Sequence, residues 1–209
     1  MKIGILGSGD VAKSLAKGFL SRGHEVMLGS RDTAKLREWI EQDGSAKAGS
    51  FAEAAAFGEI VVLATFGMAT ESAIEQTGVQ HFAGKVVIDA TNPLRFEDGR
   101  AVLAIGGEDS LGERVQRALA ESRVVKAFNT VGNQYFVNPR FEGGPPTMFL
   151  AGNDEGAKAA VAQILQDFGW ESADLGGIEC SRYTEPMCLV WVLYGARTGT
   201  WHHAFKLLR

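Results

Sequence analysis

Gly7-Ser8-Gly9-Asp10-Val11-Ala12 stands a few residues into the chain, directly after the apolar run Ile3–Leu6. A G-x-G-x-x-A between a strand and a helix is a pyrophosphate cradle. Gly7 permits the tight turn, Gly9 lets a phosphate approach the backbone, and Ala12 leaves room for helix and strand to pack. The N–H groups at the helix start, around Asp10 and Val11, add a partial positive charge. Asp10 fits less comfortably, because a carboxylate there competes with a phosphate for the same donors, so it is expected to point away. The plainer alternative is a glycine-rich turn with no ligand.

The next chemistry-bearing residues follow the second strand, Glu25–Leu28, where Gly29-Ser30-Arg31 occupies the place at which NAD enzymes carry an acid for the ribose hydroxyls. A carboxylate repels a 2′-phosphate, whereas a hydroxyl and a guanidinium donate to it in charge-assisted bonds. Ser30 and Arg31 therefore predict NADPH over NADH. A second reading stays open, in which Asp32 takes the ribose and Arg31 is solvated.

Three more segments end predicted strands and so fall at the edge where open α/β sheets bind ligands: Thr65-Phe66-Gly67-Met68, Ala90-Thr91-Asn92-Pro93-Leu94 and Phe128-Asn129-Thr130-Val131. Asn92 and Asn129 have both donors and acceptors for a nicotinamide carboxamide or a substrate carbonyl, and Pro93 and Phe128 are expected to wall the ring. Both asparagines also suit ordinary strand-to-loop turns. No general acid stands out among Lys126, Asp89, His24, His81, His202 and His203, the last two being read as a solvated helix end. No metal cluster, GxSxG elbow or Cys–His pair occurs, so no catalytic residue and no metal ligand is assigned. A reductase of alcohols or imines normally needs a proton donor, so the lack of one points to an acceptor that takes hydride directly, such as a flavin-like ring.

These residues need a scaffold that brings many strand ends together. Short apolar runs at Ile3–Leu6, Glu25–Leu28, Ile60–Thr65, Val86–Asp89, Val124–Phe128, Met148–Ala151 and Trp170–Leu175 alternate with helical stretches. That alternation predicts an α/β fold, a Rossmann-like doubly wound, mostly parallel sheet with a small C-terminal helical part. Ser50 with Glu53, and Ser110 with Glu113, match capping boxes. Val11, Leu15 and Phe19 with Ala12, Ala16 and Leu20 give the first helix one apolar face, and Arg22-Gly23 ends it. Met187–Tyr194 is apolar all round, which predicts burial on several sides, including against a second subunit. Gly143-Gly144-Pro145-Pro146 reads as the border of a site loop.

With 209 residues the chain is long enough for one principal core, and a charge of −4 leaves no basic stripe for a nucleic-acid partner. There is no apolar run long enough to span a membrane and no secretory signal, which predicts a cytoplasmic protein. Cys180 and Cys188 read as buried thiols.

Ile3–Gly9, Gly23–Arg31, Asp89–Leu94 and Val124–Thr130 together resemble the NADP-dependent reductases of the deazaflavin coenzyme F-420. They are also similar to the cytosolic oxidoreductase domain of six-transmembrane metalloreductases. The resemblance runs nearly the length of the chain, including Ser181-Arg182 before the last helix. It implies a Rossmann domain over residues 1–178, a C-terminal helical segment over 179–209, and a homodimer through that segment. It also implies NADP(H) on Ser8-Gly9, Ser30 and Arg31, and a nicotinamide flanked by Asn92-Pro93 and Phe128-Asn129. The activity implied is hydride transfer between NADP(H) and a small redox acceptor, a flavin or deazaflavin. Two alternatives remain, a reductase of a small carbonyl or imine and a non-catalytic NADPH-sensing protein.

Overall fold

The computed structural model describes residues 1–43 and 45–208. In chain order the elements are β1 (Lys2–Leu6), α1 (Asp10–Ser21), β2 (Glu25–Gly29), α2 (Thr33–Asp43), β3 (Lys47–Gly49), α3 (Phe51–Phe57), β4 (Ile60–Leu63), α4 (Thr70–Thr77) and β5 (Val86–Asp89). There follow β6 (Leu94–Glu97), β7 (Arg100–Leu103), α5 (Leu111–Ala118), β8 (Arg123–Lys126), β9 (Thr147–Gly152), α6 (Glu155–Asp167), β10 (Glu171–Asp174) and α7 (Ser181–Thr198). The large sheet runs β10-β9-β8-β5-β4-β1-β2-β3. Its β3-β2-β1-β4-β5-β8 part is all parallel, the 3-2-1-4-5-6 order of doubly wound dinucleotide-binding folds. β9 then joins β8 antiparallel, and β10 lies parallel to β9.

Side chains alternate across this sheet, and each face has its own core. Ile3, Ile60, Val62, Ile88 and Val125 pack with α1 and α6 around Phe19, Phe136 and Phe168. Val61, Leu63, Val87 and Val124 pack with α3, α4 and α5 around Ile74, Phe82 and Val115. Burial on both faces is why the parallel strands are apolar throughout rather than alternating with polar residues.

The sequence-based boundaries need local corrections. β4 stops at Leu63 rather than Thr65, and β8 stops at Lys126 rather than Phe128, whose φ of 63° breaks the extended chain. β3 and the two strands of the β6–β7 hairpin are too short to register as apolar runs, so neither was anticipated. The Ser50–Glu53 capping box closes fully, with Glu53 N–H on Ser50 Oγ at 3.2 Å and Ser50 N–H on Glu53 Oε2 at 2.7 Å. At α5 only half of it forms. Ser110 accepts from Glu113 N–H, but the Glu113 carboxylate turns to Arg182 Nε at 2.8 Å.

α7 buries Cys188 and Trp191 against its own chain and leaves Val190, Leu193 and Tyr194 half-exposed. Within one chain, then, the Met187–Tyr194 segment is buried on one side rather than several. Beyond Gly199 the chain returns along this helix as a strap. Trp191 Nε1–H donates to the His203 carbonyl at 2.8 Å, His203 stacks on the Trp191 ring, and Thr147 N–H donates to the Phe205 carbonyl at 2.9 Å. The two C-terminal histidines therefore belong to aromatic clusters, His202 stacking on Phe141, and not to a solvated helix end. The Gly143–Pro146 segment meets the same strap, where Lys206 donates to the Pro145 carbonyl at 2.7 Å.

Candidate active site

The strand order reverses between β1 and β4, and the crevice at that switch point is where the sequence pattern puts the dinucleotide. A cavity of about 210 Å³ opens there, lined by Gly7, Ser8 and Gly9, by Ser30 and Arg31, and by Thr65 and Phe66. Gly7 has φ 147° and lies so close to the Ala64 carbonyl that a Cβ would overlap it, whereas a Cβ on Gly9 would meet nothing within 4 Å. The first glycine is thus required by packing, whereas nothing in the protein itself crowds the second, which leaves its face open to a ligand. Gly9 is the N-cap of α1 with no side-chain cap, so the first-turn N–H groups, Val11 among them, are not claimed by a side chain. Asp10 is exposed in the first turn and caps nothing.

At the end of the second strand, Asp32 is engaged with its own chain. Its Oδ1 accepts from Ala34 N–H at 3.0 Å, making it a cap for α2, while its own N–H donates to Ser30 Oγ at 3.2 Å. Ser30 is buried on the cavity wall, and Arg31 stands exposed on the rim without a hydrogen bond or ion pair to any described residue. The donor set facing the crevice therefore fits a nucleotide carrying an extra phosphate.

The cavity also has residues that the sequence pattern did not single out: Phe51 at the start of α3, and Ala69, Ser72, Ala73 and Gln76 along one face of α4. The signal for the last four was their i, i+3, i+4, i+7 spacing. Thr65 and Thr70 share a hydroxyl–hydroxyl bond at 3.0 Å that ties the β4 loop to α4.

Asn92 and Asn129, 37 positions apart in the chain, come together at the ends of β5 and β8. Asn92 Nδ2 donates to the Asn129 carbonyl at 2.8 Å, and Asn129 Nδ2 donates to Asn92 Oδ1 at 3.0 Å and to the Thr184 carbonyl on α7 at 3.1 Å. The proposed ring walls are not available. Phe128 is 1% exposed, since its positive φ turns the ring into the core against Phe136 and Phe168, at centroid distances of 5.5 and 5.9 Å. Pro93 is buried as well. The exposed apolar groups on this side are Phe66, Met68 and Phe96, the last on the β6–β7 hairpin.

Beneath the asparagines lies a buried ionic cluster of Asp89, Lys126 and Glu185. In the sequence Lys126 and Asp89 were weighed as general acids and set aside, and Glu185, which no motif marks, was missed. Burial pushes the Cys188 thiol up to about 12 and raises Cys180 too, so neither thiol ionises near neutral pH. Among the described residues no group of His, Cys, Asp and Glu is arranged to hold a metal ion, and no helix is long and apolar enough to cross a membrane.

Residues 2–93 match the family model described as NADP oxidoreductase, coenzyme F420-dependent. The chain is 31% identical over 201 residues to the F420-dependent NADP reductase of Methanothermobacter marburgensis, with 88% of each chain covered. The chain belongs to the F420-dependent NADP reductase family. It is on that ground an NADP-dependent oxidoreductase, as the glycine turn and Arg31 led one to expect. It is also 28% identical to metalloreductase STEAP3 of Rattus norvegicus over 90% of this chain, but spans only 36% of that relative's length. A solved structure from Arthrobacter sp. FB24, provisionally described as an F420-dependent NADP-reductase, superposes over 100% of both chains with a TM-score of 0.95 and 36% identity. That agreement includes the extension of the sheet by β9 and β10 and the C-terminal helix.

Proposed function

We propose that this protein transfers a hydride between NADP(H) and a flavin or deazaflavin ring. The observation that carries the cofactor half is the pairing of an unpartnered Arg31 with a buried Ser30 at the crevice, while Asp32, the alternative ribose acid, is spent on capping α2. In this reading Gly7, Ser8, Gly9 and the first turn of α1 at Asp10 and Val11 receive the pyrophosphate. Ser30 and Arg31 receive the 2′-phosphate, and Thr65 and Phe66 border the ribose side. Asn92 and Asn129 face the nicotinamide, and Pro93 and Phe128 shape that loop from below, through the backbone. When bound, the reduced nicotinamide supplies the hydride.

The acceptor half rests on the family and on what surrounds the asparagines. Asn92 is the half-buried member that offers an amide, Asn129 being 2% exposed and holding it from behind, and the exposed faces of Phe66, Met68 and Phe96 suit stacking of a planar ring. Such a ring accepts hydride without a side-chain proton donor. Residues 1–178 carry the nucleotide in this scheme, and 179–209 close the site through Thr184 and pair with a second copy.

The test is NADPH oxidation followed by absorbance with F420, FMN, FAD and riboflavin, beside a panel of carbonyls and imines. Turnover with one of the ring acceptors supports the proposal. Turnover confined to carbonyls or imines, or NADPH binding without turnover of any acceptor, overturns it.

A further inference from the structure

The Asp89–Lys126–Glu185 cluster has no part in the binding scheme above. Lys126, the last residue of β8, is 0% exposed, and its Nζ lies 2.7 Å from Asp89 Oδ2, 2.8 Å from Glu185 Oε1 and 2.9 Å from the Thr91 carbonyl. Asp89 Oδ1 accepts from the Thr91 N–H at 2.9 Å and the Thr91 hydroxyl at 2.6 Å. Glu185 accepts from Leu111 N–H at 3.0 Å and Gly112 N–H at 2.9 Å, so two carboxylates balance one ammonium and the positive end of α5. Burial works against the ammonium, and the carboxylates outweigh it, raising the Lys126 pKa above the ordinary lysine value. The Lys126 side chain therefore stays an ammonium near neutral pH.

Desolvating these groups costs several kcal/mol per ion, on the order of what their attraction returns, so stability alone does not account for them. Their position does. They sit at the carboxyl ends of β5 and β8, and each asparagine of the pair is wired to them. Thr91, clamped by Asp89 and Lys126, is the residue before Asn92. Thr184, the residue before Glu185, supplies the carbonyl that holds Asn129. Because Asn129 Oδ1 is buried without a hydrogen-bond partner among the described residues, the hydrogen bonds that orient that amide are those to Asn92 Oδ1 and the Thr184 carbonyl. There is no slack around the cluster, since a Cβ on Gly112 would overlap Ser181 Oγ and come within 3.1 Å of Lys126 Cε.

We infer that Glu185 is a positioning residue for hydride transfer: through Lys126 and Thr91 it fixes Asn92, and through Thr184 it fixes Asn129, without touching either ligand. This rests on the reading of the asparagine pair as the nicotinamide-facing groups. α7 thereby sets the geometry of a site built on the sheet, and it acts on the nicotinamide end while leaving the adenosine end alone.

The experiment compares Glu185→Gln, Glu185→Asp, Asn92→Ala and Asn129→Ala by calorimetric titration with 2′,5′-ADP, by the fluorescence of enzyme-bound NADPH, and by single-turnover hydride transfer to F420. Glu185→Gln leaves the neutral Asp89–Lys126 pair in place, and Glu185→Asp keeps the charge should the amide fail to fold. Glu185→Gln is expected to retain its affinity for 2′,5′-ADP and to shift bound-NADPH emission toward that of the free nucleotide. Its transfer rate is expected to fall by about tenfold to a hundredfold, the size of effect that a misplaced reactant produces. Glu185→Asp should recover part of both. Lowered thermal stability with emission and rate intact overturns the inference, as does an equal loss of 2′,5′-ADP affinity. If both asparagine variants behave as wild type, the reading of the pair falls, and this inference with it; if they lose rate and Glu185→Gln does not, only the inference falls.

Discussion

Gly67 packs directly on the main chain of Asn92: a Cβ there would lie 2.5 Å from the Asn92 carbonyl carbon and closer still to its oxygen. The loop after β4 and the loop after β5 are in contact because this residue has no side chain. Gly67→Ala must push them apart, at about 1–3 kcal/mol for overpacking. The expected outcome is a folded protein of lower melting temperature, with a larger loss in hydride transfer than in NADPH affinity. An unchanged transfer rate would show that the position of Asn92 does not matter.

Arg31→Ala should weaken NADPH by about 1.5–3 kcal/mol, the range for hydrogen bonds to a charged group, and leave NADH nearly unchanged. Titration of both nucleotides against wild type and variant checks this. Equal losses would remove the 2′-phosphate assignment and return attention to Asp32.

The α4–α5–α7 contact should respond to acid. Burial pushes the Asp109 carboxyl up, but hydrogen bonds from Arg114 and Arg117 outweigh it and bring it down to about 2. The Arg182 guanidinium holds Glu113 below the usual carboxylate range. Both folded values lie below the unfolded ones, so the stabilisation is present above the unfolded pKa, about 4, and is lost as pH falls through the folded values. Solvent screening limits it to about 1 kcal/mol for such a partly exposed group. Thermal unfolding followed from about pH 6 to about pH 3 should fall less steeply in Arg114→Ala and Arg182→Ala than in wild type.

Tyr183, Val190 and Tyr194 recur along one side of α7 and are 68%, 55% and 52% exposed. An apolar stripe of this kind marks a protein interface. Sedimentation at micromolar concentration is expected to give a dimer, and Val190→Asp a monomer whose NADPH affinity is retained. A wild-type monomer would leave the stripe without its expected partner.

The parallel sheet and the glycine turn on which the cofactor reading rests were legible in the residues alone, because both depend on local chemistry. Ile60-Val61-Val62-Leu63 announces a strand buried on two faces, and Gly7, Gly9 and Arg31, each within a few residues of a strand end, line one cavity. β3 and the β6–β7 hairpin escaped because strands of three and four residues are too short for a hydrophobic period to stand out.

What the sequence determined by itself was therefore the alternation of buried strands and helices and the glycine turn after the first strand, each carried by neighbours along the chain; the strand order is tertiary. Only the tertiary structure decided that Phe128 turns inward while Asn129 meets Asn92, and that Glu185 closes a charge cluster with Lys126 and Asp89. Those relationships join residues dozens of positions apart. They exist because packing and desolvation act between whichever groups the fold brings together, and no local spacing encodes them.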